Sequence, residues 1–176
     1  LQAGETVLIT GIGGGVQTFV LLFAKHVGAH AIVTSGSDEK LARARELGAD
    51  VTINYRTDKD WHKTARAAGP VDLAVDSTGG EILNKAISAL RVGGRAVIYG
   101  ATLGDATLRP FSIFWNHIDL RGTSMGSPED FRNMLALFNQ GLRPVIDRVY
   151  PLAETSAAAE RMNDAKQFGK IVIDIP

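Results

Sequence analysis

The chain has 176 residues, 45% of them hydrophobic, and its 19 basic and 19 acidic side chains cancel to a formal charge of zero. That length fits one domain, or one domain with a fragment of another, and the apolar share suffices for a core. Zero net charge argues against nucleic acid or an anionic membrane as the main partner, and the lack of cysteine excludes disulfides, thiolate metal sites and a cysteine nucleophile.

A β-branched apolar run, Thr6–Thr10, predicts a first strand, and it ends in the glycines Gly11, Gly13, Gly14 and Gly15. A helix follows over Val16–Val27, apolar almost all round and therefore expected to be buried. A strand at Ala31–Thr34 leads to a helix over Asp38–Leu47, with Ser37 as N-cap, two acids in the first turn and Gly48 past its end. Next come a strand at Val51–Asn54, a weakly patterned and mostly exposed helix near Asp58–Ala67, and a strand at Val71–Val75. A helix over Glu81–Leu90 places Ile82, Leu83, Ala86, Ile87 and Leu90 on one face, and a strand follows at Arg95–Tyr99. The loop Leu103–Asn116 holds room for a short helix before a sixth strand at Ile118–Gly122. Ser127, Pro128, Glu129 and Asp130 open another helix, which Gly141 ends. Alternating βα units with short apolar strands predict an α/β fold: a doubly wound six-stranded parallel sheet, covered on both faces, with right-handed crossovers. The last thirty or so residues differ: Val149–Leu152 and Lys170–Ile175 read as strands around an alanine-rich helix, Ala153–Asn163, and need not join the same sheet.

Ligands of open parallel sheets bind beyond the carboxyl ends of the strands. The turn after the first strand is a phosphate or pyrophosphate site in waiting: its glycines let backbone N–H groups approach closely, and the helix start adds partial positive charge. The strict G-x-G-x-x-G pattern is not met; the looser G-x-x-G-x-x-G fits Gly11 and Gly14, with Gln17 at the third place. The second strand's tip carries Ser35 rather than the acid that holds a ribose 2′-OH, with Asp38 inside the helix start and Lys40 beyond it. Hydroxyls and a lysine suit a 2′-phosphate. Asn54, Tyr55 and Arg56 follow the third strand, Asp76-Ser77-Thr78-Gly79-Gly80 the fourth, and Gly100-Ala101-Thr102 the fifth, where small residues let a flat ring approach. Each turn alone is ordinary turn chemistry; four at one end of one sheet point to a dinucleotide.

No Ser/His/Asp or Cys/His set is placed for nucleophilic work, and no carboxylate pair stands out, so no catalytic residue is assigned. His26, His30, His62 and His117 are scattered without metal-ligand spacing, so no metal or zinc is assigned to this chain. Tyr55-x-x-x-Lys59 matches the short-chain dehydrogenase pair in letters only, because it follows a strand instead of lying on a helix.

The blocks AGETVLITGIGGGV, AKHVGA, SDEKLARARELGAD, INYR, VDLAVDSTGG, LRVGGRAVIYG and FGKIVIDIP, in this order, resemble the nucleotide-binding half of medium-chain dehydrogenases/reductases, in the zinc-type alcohol dehydrogenase and quinone oxidoreductase branch. The resemblance implies a Rossmann fold that binds NADP(H). It maps the phosphate loop to Gly14, Gly15 and Val16, and the NADP contacts to Lys40 and Tyr55. The nicotinamide side maps to Ser77, Thr78, Gly100, Ala101 and Thr102, and Tyr99, at the end of the fifth strand, is counted among the cofactor-binding residues. It further implies a cofactor domain at 1–144 and, at 145–176, a segment returning to a GroES-like catalytic domain that this chain lacks. That domain supplies most of the substrate pocket, so the isolated chain is expected to be inactive. The implied reaction is hydride transfer to or from a carbonyl, enone, quinone or alcohol. A stand-alone nucleotide-binding or sensor module without turnover is the alternative; a methyltransferase is disfavoured by Ser35. The sixth strand is expected at a sheet edge, giving a homodimer through Ile118–Gly122 in which Asp119 and Arg121 pair across a two-fold. The missing initiator Met and a start only a few residues before the first strand suggest a piece of something longer. No apolar run reaches membrane-spanning length and Leu1 opens no signal-peptide pattern, so a cytoplasmic protein without a membrane partner is expected.

Overall fold

The computed structural model describes residues 1–176. Six strands, β1 (Thr6–Ile9), β2 (His30–Ser35), β3 (Val51–Asn54), β4 (Val71–Asp76), β5 (Leu90–Ile98) and β6 (Asp119–Gly122), form one parallel sheet in the order β3-β2-β1-β4-β5-β6. Between them run α1 (Gly15–His26), α2 (Asp38–Glu46), α3 (Trp61–Ala67), α4 (Gly80–Ala89) and the short α5 (Pro110–Trp115). The chain winds outward from β1 to β3, returns to the centre at β4 and winds outward again. The order therefore reverses between β1 and β4, the switch point at which ligands of such sheets bind.

The period of two along the strands divides the core. Leu8 points to one face with Ile32, Ala74, Trp61 and Leu83, under α3 and α4; Val7 and Ile9 point to the other with Val33, Leu21, Ala24, Leu41 and Ala44, under α1 and α2. Val7, Leu8 and Ile9 are fully buried, and each contributes roughly 1.5–3 kcal/mol of transfer free energy.

β5 begins at Leu90 rather than Arg95, so that Leu90 pairs with Val71 in the sheet instead of ending the helix, and the strand expected from Val149 begins at Ile146. Two helices also depart from the pattern reading. The first helix is not buried all round: only Thr18, Leu21 and Ala24 are buried, while Val16 is half exposed. The other side of α1 faces outward, where Phe19 meets Phe138 edge-on with ring centroids 6.3 Å apart. The third helix starts at Trp61 rather than near Asp58, because Asp58 is spent on the loop, accepting from Asp60 N and Thr64 Oγ1. It is also less exposed than its pattern suggests, since Trp61 and Ala65 are buried. β6 lies at the sheet edge, and there Arg121 pairs with Asp119 of its own chain at 2.6 Å.

After α6 (Pro128–Asn139), which opens with a full capping box at Ser127 and Asp130, the chain leaves the sheet. β7 (Ile146–Pro151) and β8 (Lys170–Asp174) pair in parallel as a separate two-stranded sheet, connected by α7 (Thr155–Asn163). This segment docks on the large sheet through Phe168, which is buried in the same cluster as Val7 and Ile9. The contact is reinforced by Arg43, whose guanidinium stands 4.4 Å over the Phe168 ring. Asp147, buried beside it, accepts from Arg161 at 2.6 and 3.0 Å and from the Phe168 amide at 3.0 Å.

Candidate functional site

A cleft of about 860 Å³ opens at the carboxyl end of the sheet, over the switch point between β1 and β4. Its floor is the glycine turn. Gly11 and Gly13 take φ of +66° and +131°, conformations that side chains rarely adopt. The turn is anchored to β2, since Gly11 N donates to Thr34 Oγ1 and Ile12 N to Thr34 O. Gly14 is the N-cap of α1 and has no side chain to cap it. The amides of Gly15, Val16 and Gln17 precede the first helical bond, Thr18 N to Gly14 O, and reach no protein acceptor. α2 begins differently: Ser37 accepts from Lys40 N at 3.3 Å and closes that helix end itself. Of these two helix starts, α1 is the one left open to an anion.

Asp76, which the sequence reading counts only as part of a polar turn, organises the β4 side. It is 1% exposed. Its carboxylate accepts from Thr10 Oγ1 at 2.6 Å, Thr78 N at 3.0 Å and Gly79 N at 2.8 Å, tying the end of β1 to the turn after β4. The turns after β4 and β5 interlock, with Thr102 N on Ser77 O and Leu103 N on Thr78 O. A Cβ on Gly100 would lie 3.0 Å from Ser77 O. Gln17 fills the third glycine's place by reaching across the cleft, where its Nε2 donates to Ser77 Oγ at 3.0 Å.

At the β2 and β3 tips, Ser35 is buried and its hydroxyl accepts from Ser37 N at 3.2 Å. Asp38 accepts from Asn54 Nδ2 at 2.7 Å, which ties that acid to β3. Lys40 lies across the glycine turn, its Cδ 2.8 Å from where a Cβ on Gly13 would be, and its Nζ donates to Ala165 O at 2.6 Å. Burial there lowers the Lys40 ammonium below its ordinary value, against the pull of Asp147 and Glu39.

The cleft thus gathers Gly11, Gly14, Ser35, Lys40, Tyr55, Ser77, Thr78 and Thr102 of the residues expected from sequence. Gly15 and Val16 stand at its α1 rim, while Tyr99, Gly100 and Ala101 lie outside its lining. Tyr99 packs on the Val7–Ile9 cluster, and burial pushes its phenol above the ordinary range. Sequence reasoning missed Asp76 and the C-terminal wall of the cleft, formed by Arg161, Asp164, Ala165, Lys166 and Gln167. The run Asp76-Ser77-Thr78-Gly79 carried a signal for the first, an acid that folds back onto amides two and three residues on. Nothing local signals the second. No three His, Asp or Glu side chains gather to hold a metal ion. No helix is long and apolar enough to cross a membrane.

Known proteins of similar sequence and fold show the family. The zinc-binding dehydrogenase family matches residues 15–140. A zinc-type alcohol dehydrogenase-like protein of Leptosphaeria maculans is 42% identical over 185 residues, covering 99% of this chain and 52% of that protein. The solved structure of an NAD-dependent alcohol dehydrogenase superposes with a TM-score of 0.90 at 33% identity, covering 99% of this chain and 52% of that one. A 2-octenoyl-CoA carboxylase reductase in complex with NADP and 2-octenoyl-CoA has the same TM-score of 0.90 at 25% identity, covering 98% of this chain and 44% of that one. The chain spans about half the length of these relatives. It belongs to the zinc-binding dehydrogenase family of medium-chain dehydrogenases/reductases and corresponds to their nucleotide-binding domain.

Proposed function

We propose that this chain is the cofactor domain of an NADPH-dependent oxidoreductase that moves hydride to or from a carbonyl, enone, quinone or alcohol. The observation that carries this reading is the pairing, in one cleft, of an uncapped α1 start with a β2 tip of Ser35, Gly36 and Ser37 that carries no acid of its own, Glu39 and Asp164 being the carboxylates that line the cleft. The free amides of Gly15, Val16 and Gln17 fit a pyrophosphate, which the α1 dipole favours. Lys40 and Tyr55 border the place where an adenosine ribose would lie; Asp38, held by Asn54, is outside the cleft lining, and Glu39 is the α2 carboxylate that lines it beside Lys40. Ser77, Thr78 and Thr102 border the opposite end, toward the nicotinamide, with Tyr99, Gly100 and Ala101 supporting that wall from behind. When bound, the nicotinamide supplies or accepts the hydride; the protein contributes position and electrostatics. The two solved relatives differ in cofactor, NAD in one and NADP in the other, so the choice rests on the β2 tip of this chain. Calorimetric titration with NADPH and NADH tests it. NADPH binds more tightly, by about tenfold, given one charge-assisted phosphate contact; equal affinities overturn the reading.

The residues present do not form a zinc site, and no step of this reading passes through a metal. In the same reading, residues 1–144 are the cofactor domain and 145–176 return to a catalytic domain outside this chain. The small β7–β8 sheet supports this: Val149, Leu152 and Ile175 are 57%, 53% and 70% exposed, an apolar surface that a second domain would cover. Without that domain the chain has no useful turnover; rapid NADPH oxidation with a quinone or enone contradicts this. The open outer edge of β6 supports a homodimer joined through Ile118–Gly122. Leu120→Pro removes a ladder donor and gives a monomer by sedimentation, whereas a monomeric unmodified chain at micromolar concentration rules the dimer out.

A further inference from the structure

The register Ser35↔Asn54 sets the tips of β2 and β3 side by side, so Gly36 faces Tyr55 and Arg56. A Cβ on Gly36 would lie 2.7 Å from Arg56 Nε and 2.9 Å from Tyr55 Cε2, so the absence of a side chain there seats both groups. The backbone that launches Arg56 is pinned: Tyr55 N donates to Ser35 O at 3.1 Å, and Arg56 N to Asn54 Oδ1 at 2.9 Å. Four cationic side chains line the cleft, and three are occupied. Lys40 Nζ is on Ala165 O, Lys166 Nζ on Asp164 and Arg161 on Asp147. The side chain of Arg56 makes no hydrogen bond or ion pair, and Asn54 holds the nearby Asp38.

A guanidinium presents a planar fork of donors that matches a phosphate bidentately, whereas an ammonium acts as a point charge. We infer that Arg56 is the principal specificity residue for a 2′-phosphorylated adenosine, with Lys40 secondary because it must first give up the Ala165 carbonyl. This assignment rests on the NADPH reading and deepens it. The site recognises the phosphomonoester on the ribose, and so takes the adenosine half of the cofactor without the nicotinamide.

The test is titration of 2′,5′-ADP and 5′-ADP into the unmodified chain, Arg56→Ala, Arg56→Lys and Lys40→Ala, with thermal melts confirming that each variant folds. Arg56 is exposed, so its replacement leaves the core intact. Arg56→Ala weakens 2′,5′-ADP at least tenfold and leaves 5′-ADP within twofold, Arg56→Lys recovers part of the loss, and Lys40→Ala loses less than Arg56→Ala. Undiminished preference for 2′,5′-ADP in Arg56→Ala, or an equal loss for both nucleotides, overturns the assignment alone. Equal affinity of the unmodified chain for the two nucleotides overturns the NADPH reading, and this assignment with it.

Discussion

At the amino end of the six-stranded sheet, Asp72 accepts from Thr6 N at 2.8 Å and Arg91 Nε at 2.6 Å, Glu5 holds Arg95, and Asp50 holds both Lys25 and Ala31 N. At the carboxyl end, the amides that open α1 and the guanidinium of Arg56 have no protein partner. The first end closes its polar groups on one another and the second leaves donors facing a cleft. Burial costs a polar group dearly unless it is paired, so open donors persist where solvent or a ligand can reach them. The contrast is between an amino end whose charges are paired within the chain and a carboxyl end where Lys40, Lys166 and Arg161 are also paired but the Arg56 guanidinium and the α1 amides stay open to the cleft.

The largest effect that sharpens this comparison is expected at Asp76, the exception among the open groups of the carboxyl end. Asp76→Ala strands the amides of Thr78 and Gly79, leaves the Thr10 hydroxyl only its longer bond to Val75 O, and destabilises the chain by about 3 kcal/mol in urea denaturation, with cofactor affinity falling more than tenfold. Asp72→Ala, its counterpart at the amino end, costs about 2 kcal/mol and leaves cofactor affinity within twofold. A large loss of affinity in Asp72→Ala would dissolve the distinction between the ends.

The smallest effect concerns pH. The Arg161 guanidinium holds the Asp147 carboxyl below the usual carboxylate range, with further help from the Phe168 amide and Arg43, against the upward push of burial. A folded-state value below the unfolded one contributes stability that is fully present above the ordinary value of about 3.9 and is lost as pH falls from there through the folded value. The difference in melting temperature between the unmodified chain and Asp147→Asn is therefore largest near neutrality and shrinks below about pH 4. A difference that stays constant down to acid pH contradicts this role for the Asp147–Arg161 pair.

Much of the fold was legible because local signals agreed with tertiary ones. Thr6–Ile9 and Val51–Asn54 are apolar or β-branched runs bounded by turn residues, and both are strands with the expected bounds to within a residue. Ser37 and Ser127 cap the helices their positions announce. What escaped was long-range. Composition shows α1 as apolar, but which of its sides is covered depends on partners elsewhere in the chain. The partner of Lys40, Ala165, lies 125 residues away, and Gly13 O accepts from Gly169 N across a still longer span. Asp76 shows its importance only when Thr10 arrives from 66 residues upstream. The free fork of Arg56 is visible only once its neighbours' partners are known.

In the proposed function the open start of α1 receives the cofactor's pyrophosphate. Amide chemical-shift mapping of the isotopically labelled chain during NADPH titration tests it most directly. The largest shifts fall on Gly15, Val16 and Gln17, while Thr6 at the amino end, whose amide is already bound to Asp72, stays still. Shifts that spare α1 and gather instead around the separate cavity of about 490 Å³ lined by His62, Lys85 and Arg109 would contradict the claim.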